Sequence, residues 1–429
     1  MDQSKAPDGS LPSLGDATHV WWKIGLLSFG GPAAQIALMH REIVEERGWL
    51  SEQQFLNALS FCMLLPGPEA MQLATYAGWR LHGTIGGLIA GLLFVIPGAV
   101  VIMTLAAIYS FYGNVPLVEA LFYGIKAAVL VIVVEALLRV AKKALLLNLH
   151  WIIAALSFVG IFFFSLPYPL IVLMAGLLGW LLSTSEKQPQ PTDMAHVSLN
   201  RTLGTIALWL AIWLLPLLAL ALLGAPDLLI AVGKFFSTLA IVTFGGAYAV
   251  LAYMAQDVVV QFGWLTAGEM IDALGLAETT PGPLILVTQF VGFLAGFSEG
   301  GFLLGLSAAI IALWVTFTPC FLWIFAGAPY IEWISSQPRL TGALSAITAA
   351  VVGVILNLSI WFALHVLFTT IIRQQIGPVT LWRPDLSTIE WLAVALFLVS
   401  AFLAFRLHWS IIKVLLTASI MGAALRLML

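Results

Sequence analysis

The chain is 429 residues long, with 61% hydrophobic residues, only 9% charged residues and a formal net charge of -3. Soluble domains carry about 25% charged residues, so this composition excludes an ordinary soluble protein and indicates an integral membrane protein. The slightly negative net charge argues against a nucleic-acid partner.

The chain begins with a polar, loop-forming stretch over residues 1–18, which we expect to be an exposed tail. This stretch has no basic region followed by a short apolar segment and a cleavage site, so it does not resemble a signal peptide. Beyond it, charge-free runs such as 83–118 and 300–331 are long enough for one or two membrane helices of roughly 20 residues each. Because lipid offers no partner to an open strand edge, we predict an all-α, polytopic fold of about twelve membrane helices and half-helices.

Two halves of the chain repeat one another. When the sequence is shifted by 215 positions, residues 29–68 match residues 244–283 with 15 identities in 40 positions and no gap. Paired apolar repeats that are interrupted by Gly and Pro at matching places indicate a secondary transporter whose binding site lies where the repeats meet. Three motifs recur in the same register: Phe29-Gly30-Gly31 with Phe244-Gly245-Gly246, Gly48-Trp49-Leu50 with Gly263-Trp264-Leu265, and Pro66-Gly67-Pro68 with Pro281-Gly282-Pro283.

The duplication predicts four regions along the chain. These are a polar tail at 1–18, a first transporter repeat at 19–184, a linker with one extra membrane helix at 185–226, and a second transporter repeat at 227–429. We expect the two repeats to be inverted with respect to each other, an arrangement that is common in transporters of this kind.

The two Pro-Gly-Pro motifs, at 66–68 and 281–283, are the strongest candidates for a substrate site. Proline removes a backbone donor and glycine accepts unusual backbone angles, so each motif is expected to end one helix and start another. A helix that starts inside the membrane would direct its free N-H groups, equivalent to about half a positive charge, at an anion. The alternative is a tight loop outside the membrane.

The two Phe-Gly-Gly motifs, at 29–31 and 244–246, have two interpretations that the sequence does not separate. Their glycines could let helices pack closely, the usual role of small residues in membranes. They could equally unwind a helix opposite a Pro-Gly-Pro motif and complete the pocket.

The Gly-Trp-Leu motifs favour a structural role. In each, Gly stops a helix, Trp anchors the turn at the interface, and Ser51 or Thr266 caps a new helix. A gating role for Glu42 and Asp257, which precede the motifs, is the minority interpretation.

Ionisable and amide side chains inside apolar segments are functional suspects because they are unfavourable there. Lys126 suits an anionic substrate, although it could instead extend to the lipid headgroups. Glu135 has Arg139 four residues on, which predicts an intrahelical ion pair. Five further residues flank the Pro-Gly-Pro motifs and are candidates for gating or proton coupling, with Glu278 the best placed: Glu69, Gln72, Arg80, Glu278 and Gln289.

No ligand spacing for a metal or cofactor is visible, so we expect neither. Cys62 and Cys320 each lie alone in an apolar stretch, which is typical of buried spectator thiols. A membrane enzyme acting on lipid is a rival from another class, but it would need a converging cluster of carboxylates or His. The seven His are scattered along the chain.

The paired motifs, at this spacing and chain length, resemble the chromate ion transporter family in its long, two-domain form. The resemblance implies a multi-pass inner-membrane protein that exports chromate, a tetrahedral dianion similar to sulfate, with proton coupling. It places Phe29, Gly30, Gly31, Pro66, Gly67 and Pro68, together with Phe244, Gly245, Gly246, Pro281, Gly282 and Pro283, on the family's motif positions, and Lys126 where the family often has a basic residue. The chain departs from the family's pattern at Pro32, Ala247 and Leu284.

From these observations we expect an oxyanion transporter, most simply a chromate exporter that works by alternating access, and not an enzyme. A sulfate carrier of the same architecture and a passive anion channel are the alternatives. The expected partners are the oxyanion and membrane lipid. A homodimer is left open.

Overall fold

The computed structural model describes residues 12–113, 115–183, 199–244, 246–331, 334 and 337–428. The predicted linker at 185–193 and the predicted site residue Gly245 lie outside these ranges. Within them, the α-helices in chain order are α1 Leu14–Leu27, α2 Gly31–His40, α3 Glu52–Leu64, α4 Glu69–Tyr112, α5 Pro116–Ala144, α6 Asn148–Phe162, α7 Tyr168–Leu182, α8 Leu199–Leu222, α9 Asp227–Val242, α10 Ala247–Gln256, α11 Ala267–Thr279, α12 Val287–Gly327, α13 Pro338–Leu367, α14 Trp391–Ala401 and α15 Ile411–Met428.

Long apolar helices dominate the described part of the chain, as the sequence predicts. Six helical stretches are long and apolar enough to cross a membrane: those containing α4, α5, α8, α12, α13 and α15. Shorter apolar helices include α6, α7 and the stretch containing α14. The polytopic all-α fold class is confirmed, and α8 occupies the position of the predicted extra helix.

The two longest helices each bend in the middle at an equivalent place. Non-helical backbone angles occur at His82 and Gly83 in α4 and at Gly300 and Gly301 in α12. Gly83 and Gly301 have φ of 62° and 76°, in the left-handed region that favours glycine. Each stretch is therefore a pair of helices joined at a glycine hinge, and the pairing recurs in both repeats.

One element is new with respect to the sequence prediction. Strands β1 Ile371–Ile376 and β2 Val379–Pro384 form an antiparallel hairpin. Gly377, with φ of 60°, makes the turn.

The chain divides into two compact units, and each contains segments from both halves of the sequence. Unit 1 comprises Met1–Leu105, Ser185–Ala247 and Thr280–Thr341, and unit 2 comprises Ala106–Thr184, Tyr248–Thr279 and Gly342–Leu429. The first helix begins at Leu14, within the stretch predicted as a tail. The predicted repeat boundaries are boundaries in sequence and remain a prediction.

Candidate functional site

Both Pro-Gly-Pro motifs interrupt helices, as predicted. The first separates α3 from α4, and the second follows α11 and leads through a 3-10 turn, Leu284–Leu286, into α12. Gly67 and Gly282 have φ of 110° and 86°, angles that side chains rarely allow. The motifs are packed against protein: the second is fully buried and the first is half-buried to buried.

Within unit 1, each Pro-Gly-Pro motif is hydrogen-bonded to the other repeat. The amide N-H of Gly67 donates to the carbonyl oxygen of Thr243 at 2.9 Å, and the amide N-H of Gly282 donates to the carbonyl oxygen of Ser28 at 2.8 Å. Ser28 and Thr243 are equivalent under the 215-residue shift, and each immediately precedes a Phe-Gly-Gly motif. The two bonds are therefore a reciprocal pair that ties the repeats together.

The Phe-Gly-Gly motifs break helices as well. Helix α1 ends at Leu27 and α2 begins at Gly31, with φ of 86° at Gly30 and 78° at Gly31. In the second copy Gly246 has φ of 95° between α9 and α10. A Cβ at Gly246 would lie 3.8 Å from the Glu69 carboxylate, so this loop approaches the first turn of α4. The backbone is therefore unwound between α1 and α2 and between α9 and α10, and a place for these loops in a substrate pocket remains a prediction.

Two buried glutamines bind the carbonyl oxygens that these breaks release. The side-chain amide of Gln35 donates to the carbonyl oxygens of Gly282 at 2.7 Å and Ser28 at 3.3 Å. The Gln72 amide donates to the carbonyl oxygen of Pro66 at 2.7 Å. Gln35 was not among the predicted site residues. The feature that could have identified it is its position as a polar residue within the apolar α2 segment, where such residues are functional suspects.

The side-chain carbonyl oxygens of three buried glutamines have no hydrogen-bond donor in the described part of the chain. The Oε1 atoms of Gln35, Gln72 and Gln289 are buried and have no hydrogen-bond partner among the described residues. Buried amide oxygens in native proteins are almost always hydrogen-bonded, often to ordered water. Unit 1 therefore offers both donor and acceptor groups near the breaks, a combination that fits water or a ligand with its own hydroxyl.

Residues in the second halves of α4 and α12 pack against the two Pro-Gly-Pro motifs. A Cβ at Gly98 of α4 would overlap the carbonyl oxygen of Pro281, and a Cβ at Gly67 would lie 3.1 Å from Cys320 Sγ of α12. Cys62 and Cys320 are both buried and free. The close approach of backbone at Gly98 requires a residue without a side chain.

Lys126 is paired in unit 2. Its Nζ lies 3.3 Å from Asp272 Oδ2, and the same oxygen accepts a 2.8 Å hydrogen bond from the Tyr109 hydroxyl. Asp272 is 3% exposed, whereas the Lys126 side chain is 29% exposed. The carboxylate was missed as a partner because sequence places it far from Lys126, on a different helix.

Glu278 is also buried in unit 2, with 3% of its surface exposed. Its Oε1 accepts a 2.6 Å hydrogen bond from the Tyr248 hydroxyl. The predicted intrahelical pair between Glu135 and Arg139 is confirmed, with an N-O distance of 2.5 Å.

Glu42 forms ion pairs with two basic residues of unit 1. Its carboxylate lies 2.7 Å from Lys23 Nζ and 2.9 Å from an Arg47 nitrogen, in a π-helical turn outside the long apolar helices. Burial raises the pKa of this carboxyl, but the hydrogen bond and charge of Lys23, reinforced by Arg47, outweigh burial and hold the pKa below its ordinary value. At the equivalent turn of unit 2, the carboxylate of Asp257 accepts a hydrogen bond from the Tyr253 hydroxyl.

The Gly-Trp-Leu motifs act as predicted at their glycine and cap positions. Gly48 and Gly263 have φ of 61° and 62°. Ser51 and Gln54 form a reciprocal capping box at the start of α3, with bonds of 3.0 and 3.2 Å. The equivalent box at α11 has bonds of 2.7 and 3.2 Å between Thr266 and Glu269. Trp49, in contrast to the expected interfacial anchor, is 6% exposed and buried in protein.

The predicted site residues thus fall into two groups. Unit 1 holds the Phe-Gly-Gly and Pro-Gly-Pro motifs, while Lys126, Asp257 and Glu278 belong to unit 2. Unit 1 also holds Glu42, Glu69, Gln72, Arg80 and Gln289. Glu69 lies in the first turn of α4, and Arg80 is half-buried further along the same helix. In the part of the chain that the structure describes, no group of three His, Cys, Asp or Glu could hold a metal ion.

Comparison with known proteins agrees with the duplicated architecture. The profile of the family described as chromate transporter matches residues 16–180 and 230–423, one region in each predicted repeat. A probable chromate transport protein of Synechococcus elongatus is 31% identical over 348 residues, which is 80% of this chain and 83% of the relative. The chromate transport protein of Pseudomonas aeruginosa is 32% identical over 344 residues, or 78% and 77% of the two chains. That of Cupriavidus metallidurans is 28% identical over 341 residues, or 78% of each.

No solved structure matches the chain.

Proposed function

The chain belongs to the chromate transporter family, and from this premise we propose that it exports chromate across the inner membrane by alternating access between its two repeats. It is a multi-pass membrane protein of a family of transporters. We propose no enzymatic activity.

The observation that carries the mechanism is the reciprocal bonding of the Pro-Gly-Pro motifs. Because Gly67 is bonded to Thr243 and Gly282 to Ser28, each helix break is positioned by a loop of the opposite repeat. Displacing one loop would disturb the break in the other repeat. This is the physical coupling that alternating access between two equivalent half-units requires.

The substrate site that we propose lies in unit 1, at these breaks. The first N-H groups of α4 and of the 3-10 turn that leads into α12 have no acceptor within their own helices, which makes helix starts suitable for anions. The Phe-Gly-Gly loops contribute further backbone at the same breaks. The predicted binding residues are those of the four motifs, with Gln72 and Gln289 beside them.

The unsatisfied glutamine oxygens refine this proposal. A bare dianion offers only acceptors and would leave Oε1 of Gln35, Gln72 and Gln289 unpaired. A hydrated oxyanion, or one that carries a single proton and therefore a hydroxyl donor, can bond to both the amide N-H groups and these oxygens. We therefore propose that the anion enters with water or a proton.

Two groups in unit 2 extend the proposal. Lys126 supplies a positive charge that Asp272 holds in place, and Glu278 is a buried carboxyl suited to carrying the coupling proton. Glu69, Arg80, Glu42 and Asp257 remain proposed gating residues. Of these, Glu42 has the ion-pair partners of a structural residue.

The test is chromate uptake into inverted membrane vesicles, with and without an imposed proton gradient. Vesicles that contain the chain should accumulate chromate, and the gradient should increase the initial rate. Excess sulfate in the same assay measures whether the site distinguishes the two tetrahedral dianions. Absence of uptake at any gradient would reject chromate export. Uptake that equilibrates at channel rates and ignores the gradient would favour a passive anion channel.

A further inference from the structure

Unit 2 contains a polar cavity that the proposed function does not use. It is a cleft that opens to solvent and lies among α6, α10, α13 and the β-hairpin. Its polar lining consists of Ser165, Gln256, Asn357, Trp361, Arg373 and Trp382.

One residue that lines this cavity has an unsatisfied hydrogen-bond donor. Trp361 is 7% exposed, and its indole N-H is buried without a hydrogen-bond partner among the described residues. Buried indole N-H groups usually find an acceptor, and one left unpaired carries a desolvation penalty. An acceptor that occupies the cavity would remove that penalty.

The only charged residue lining this cavity, within the described ranges, is Arg373. Arg373 stands opposite Trp382 in the register of the hairpin, and its guanidinium lies 5.5 Å from the centre of the Trp382 ring. This cation-π contact holds the guanidinium of the exposed Arg373 beside Trp382, which also lines the cavity. A guanidinium presents paired donors that match the oxygens of an oxyanion.

The charged residue that lines an adjoining cavity is acidic instead of basic. This adjoining cavity shares Ser165, Gln256 and Asn357 with the first, but its charged lining residue is Asp257, whose carboxylate is bonded to Tyr253. The two chambers together therefore hold one cation and one carboxylate at separate positions. An anion in the Arg373 chamber is attracted by the guanidinium and repelled by Asp257.

We propose that the Arg373 chamber of unit 2 is a second oxyanion-binding site, distinct from the helix breaks of unit 1. The ligand class is a free inorganic oxyanion such as chromate or sulfate, held by the Arg373 guanidinium, the Trp361 indole N-H and the side-chain amides of Gln256 and Asn357. In identifying this oxyanion with the transported one, the proposal rests on the proposed function. The binding site itself does not depend on it.

The test is equilibrium dialysis of the purified full chain with labelled sulfate and, separately, labelled chromate. Arg373→Gln should weaken binding at one site about tenfold or more, because it removes a charge-assisted contact. Arg383→Gln is the matched control: it removes the same charge from the same hairpin but from a residue outside the cavity, and it should leave binding unchanged. Trp361→Phe keeps an aromatic side chain at this position but removes the indole N-H, and it should also weaken binding.

Asp257→Asn gives a test with the opposite sign. Removing the repelling charge should tighten oxyanion binding, whereas a zwitterionic ligand that uses both chambers would bind more weakly to the variant. Weaker binding to Asp257→Asn, or unchanged binding to both Arg373→Gln and Trp361→Phe, would overturn the proposal. Binding that disappears when phospholipid is added would assign the chamber to a lipid phosphate and would also overturn it.

Failure of this proposal is distinguishable from failure of the proposed function. If wild-type vesicles transport chromate but Arg373→Gln and Trp361→Phe both bind oxyanion as wild type does, the second site is wrong and the transport function stands. If Arg373→Gln, Trp361→Phe and Asp257→Asn change oxyanion binding as expected but vesicles do not transport chromate, the second binding site stands and the transport function is wrong.

Discussion

The amide N-H of Gly282 donates a 2.8 Å hydrogen bond to the carbonyl oxygen of Ser28, which belongs to the other repeat. The equivalent bond joins Gly67 to Thr243 at 2.9 Å. Because both helix breaks are held in this reciprocal way, we expect a conformational change that keeps these bonds to move a Phe-Gly-Gly loop together with the Pro-Gly-Pro motif of the opposite repeat. The predictions below test the parts of this arrangement.

Replacing Gln35 by Ala should loosen the second Pro-Gly-Pro motif. The substitution removes both bonds that the Gln35 amide makes, to the carbonyl oxygens of Gly282 and Ser28, in a fully buried place. Leaving a buried carbonyl unsatisfied costs about 1–3 kcal/mol. We expect a lower thermal midpoint of the purified protein and slower chromate flux. Gln53→Ala, at an exposed amide of α3, is the control. Equal midpoints for the two variants would contradict this role for Gln35.

Lys126→Ala should abolish oxyanion flux and destabilise unit 2. The substitution leaves the Asp272 carboxylate buried without its cation, and breaking a buried ion pair costs about 3–5 kcal/mol. The two effects separate in the double variant Lys126→Ala with Asp272→Asn, which contains no unpaired buried charge.

We expect the double variant to recover the thermal midpoint of the wild type but not its flux. Lys126→Arg, which keeps the charge, should retain part of the flux. Full flux in the stable double variant would show that Lys126 serves only to neutralise Asp272.

Glu278→Gln should uncouple transport from the proton gradient. The amide oxygen of Gln can still accept the hydrogen bond from the Tyr248 hydroxyl, so local geometry is preserved while the titrating group is lost. We expect downhill chromate flux to persist and its stimulation by an imposed gradient to disappear. Glu299→Gln, at an exposed position of α12, is the matched control. A gradient effect of wild-type size in Glu278→Gln would assign the coupling proton elsewhere.

The Gly-Trp-Leu motifs should affect stability more than transport. Ser51→Ala and Thr266→Ala each remove one side of a capping box, at a cost of about 1 kcal/mol. Thermal unfolding should register similar losses for the two variants, with chromate flux per folded molecule unchanged. A loss of flux without a loss of stability would support the gating interpretation of this segment.

Local backbone chemistry explains what could be predicted from the sequence. Pro and Gly restrict or extend the allowed angles of their own residues, so the helix breaks at Gly67 and Gly282 follow from the motifs alone. The same is true of the pair between Glu135 and Arg139, because four residues make one helical turn. The duplication also predicts that Ser28 and Thr243 occupy equivalent positions. It does not predict that their carbonyl oxygens accept hydrogen bonds from the Pro-Gly-Pro motifs.

What could not be predicted depends on contacts between residues distant in sequence. Asp272 and Lys126 lie on different helices, and no local pattern shows that they meet. The carbonyl oxygens that Gln35 binds belong to residues 28 and 282, so its role emerges only when α2 is placed beside the second break. The β-hairpin was missed because it follows an apolar run and contains polar residues, a pattern typical of an ordinary loop.

The central claim is that the helix starts beside the two Pro-Gly-Pro motifs hold the transported oxyanion, and equilibrium binding of chromate to glycine variants tests it most directly. A Cβ at Gly67 would lie 3.0 Å from the Gln72 amide nitrogen, and one at Gly282 would lie 3.1 Å from Leu286 Cδ1; both residues have positive φ. Such strain costs about 1–3 kcal/mol and displaces the motif. Gly224→Val carries the same kind of strain, at φ of 69°, but meets no atom within 4 Å. We predict that Gly67→Val and Gly282→Val each lose chromate binding at the transport site and chromate flux, while Gly224→Val retains both. Wild-type binding and flux in both folded motif variants would contradict the claim.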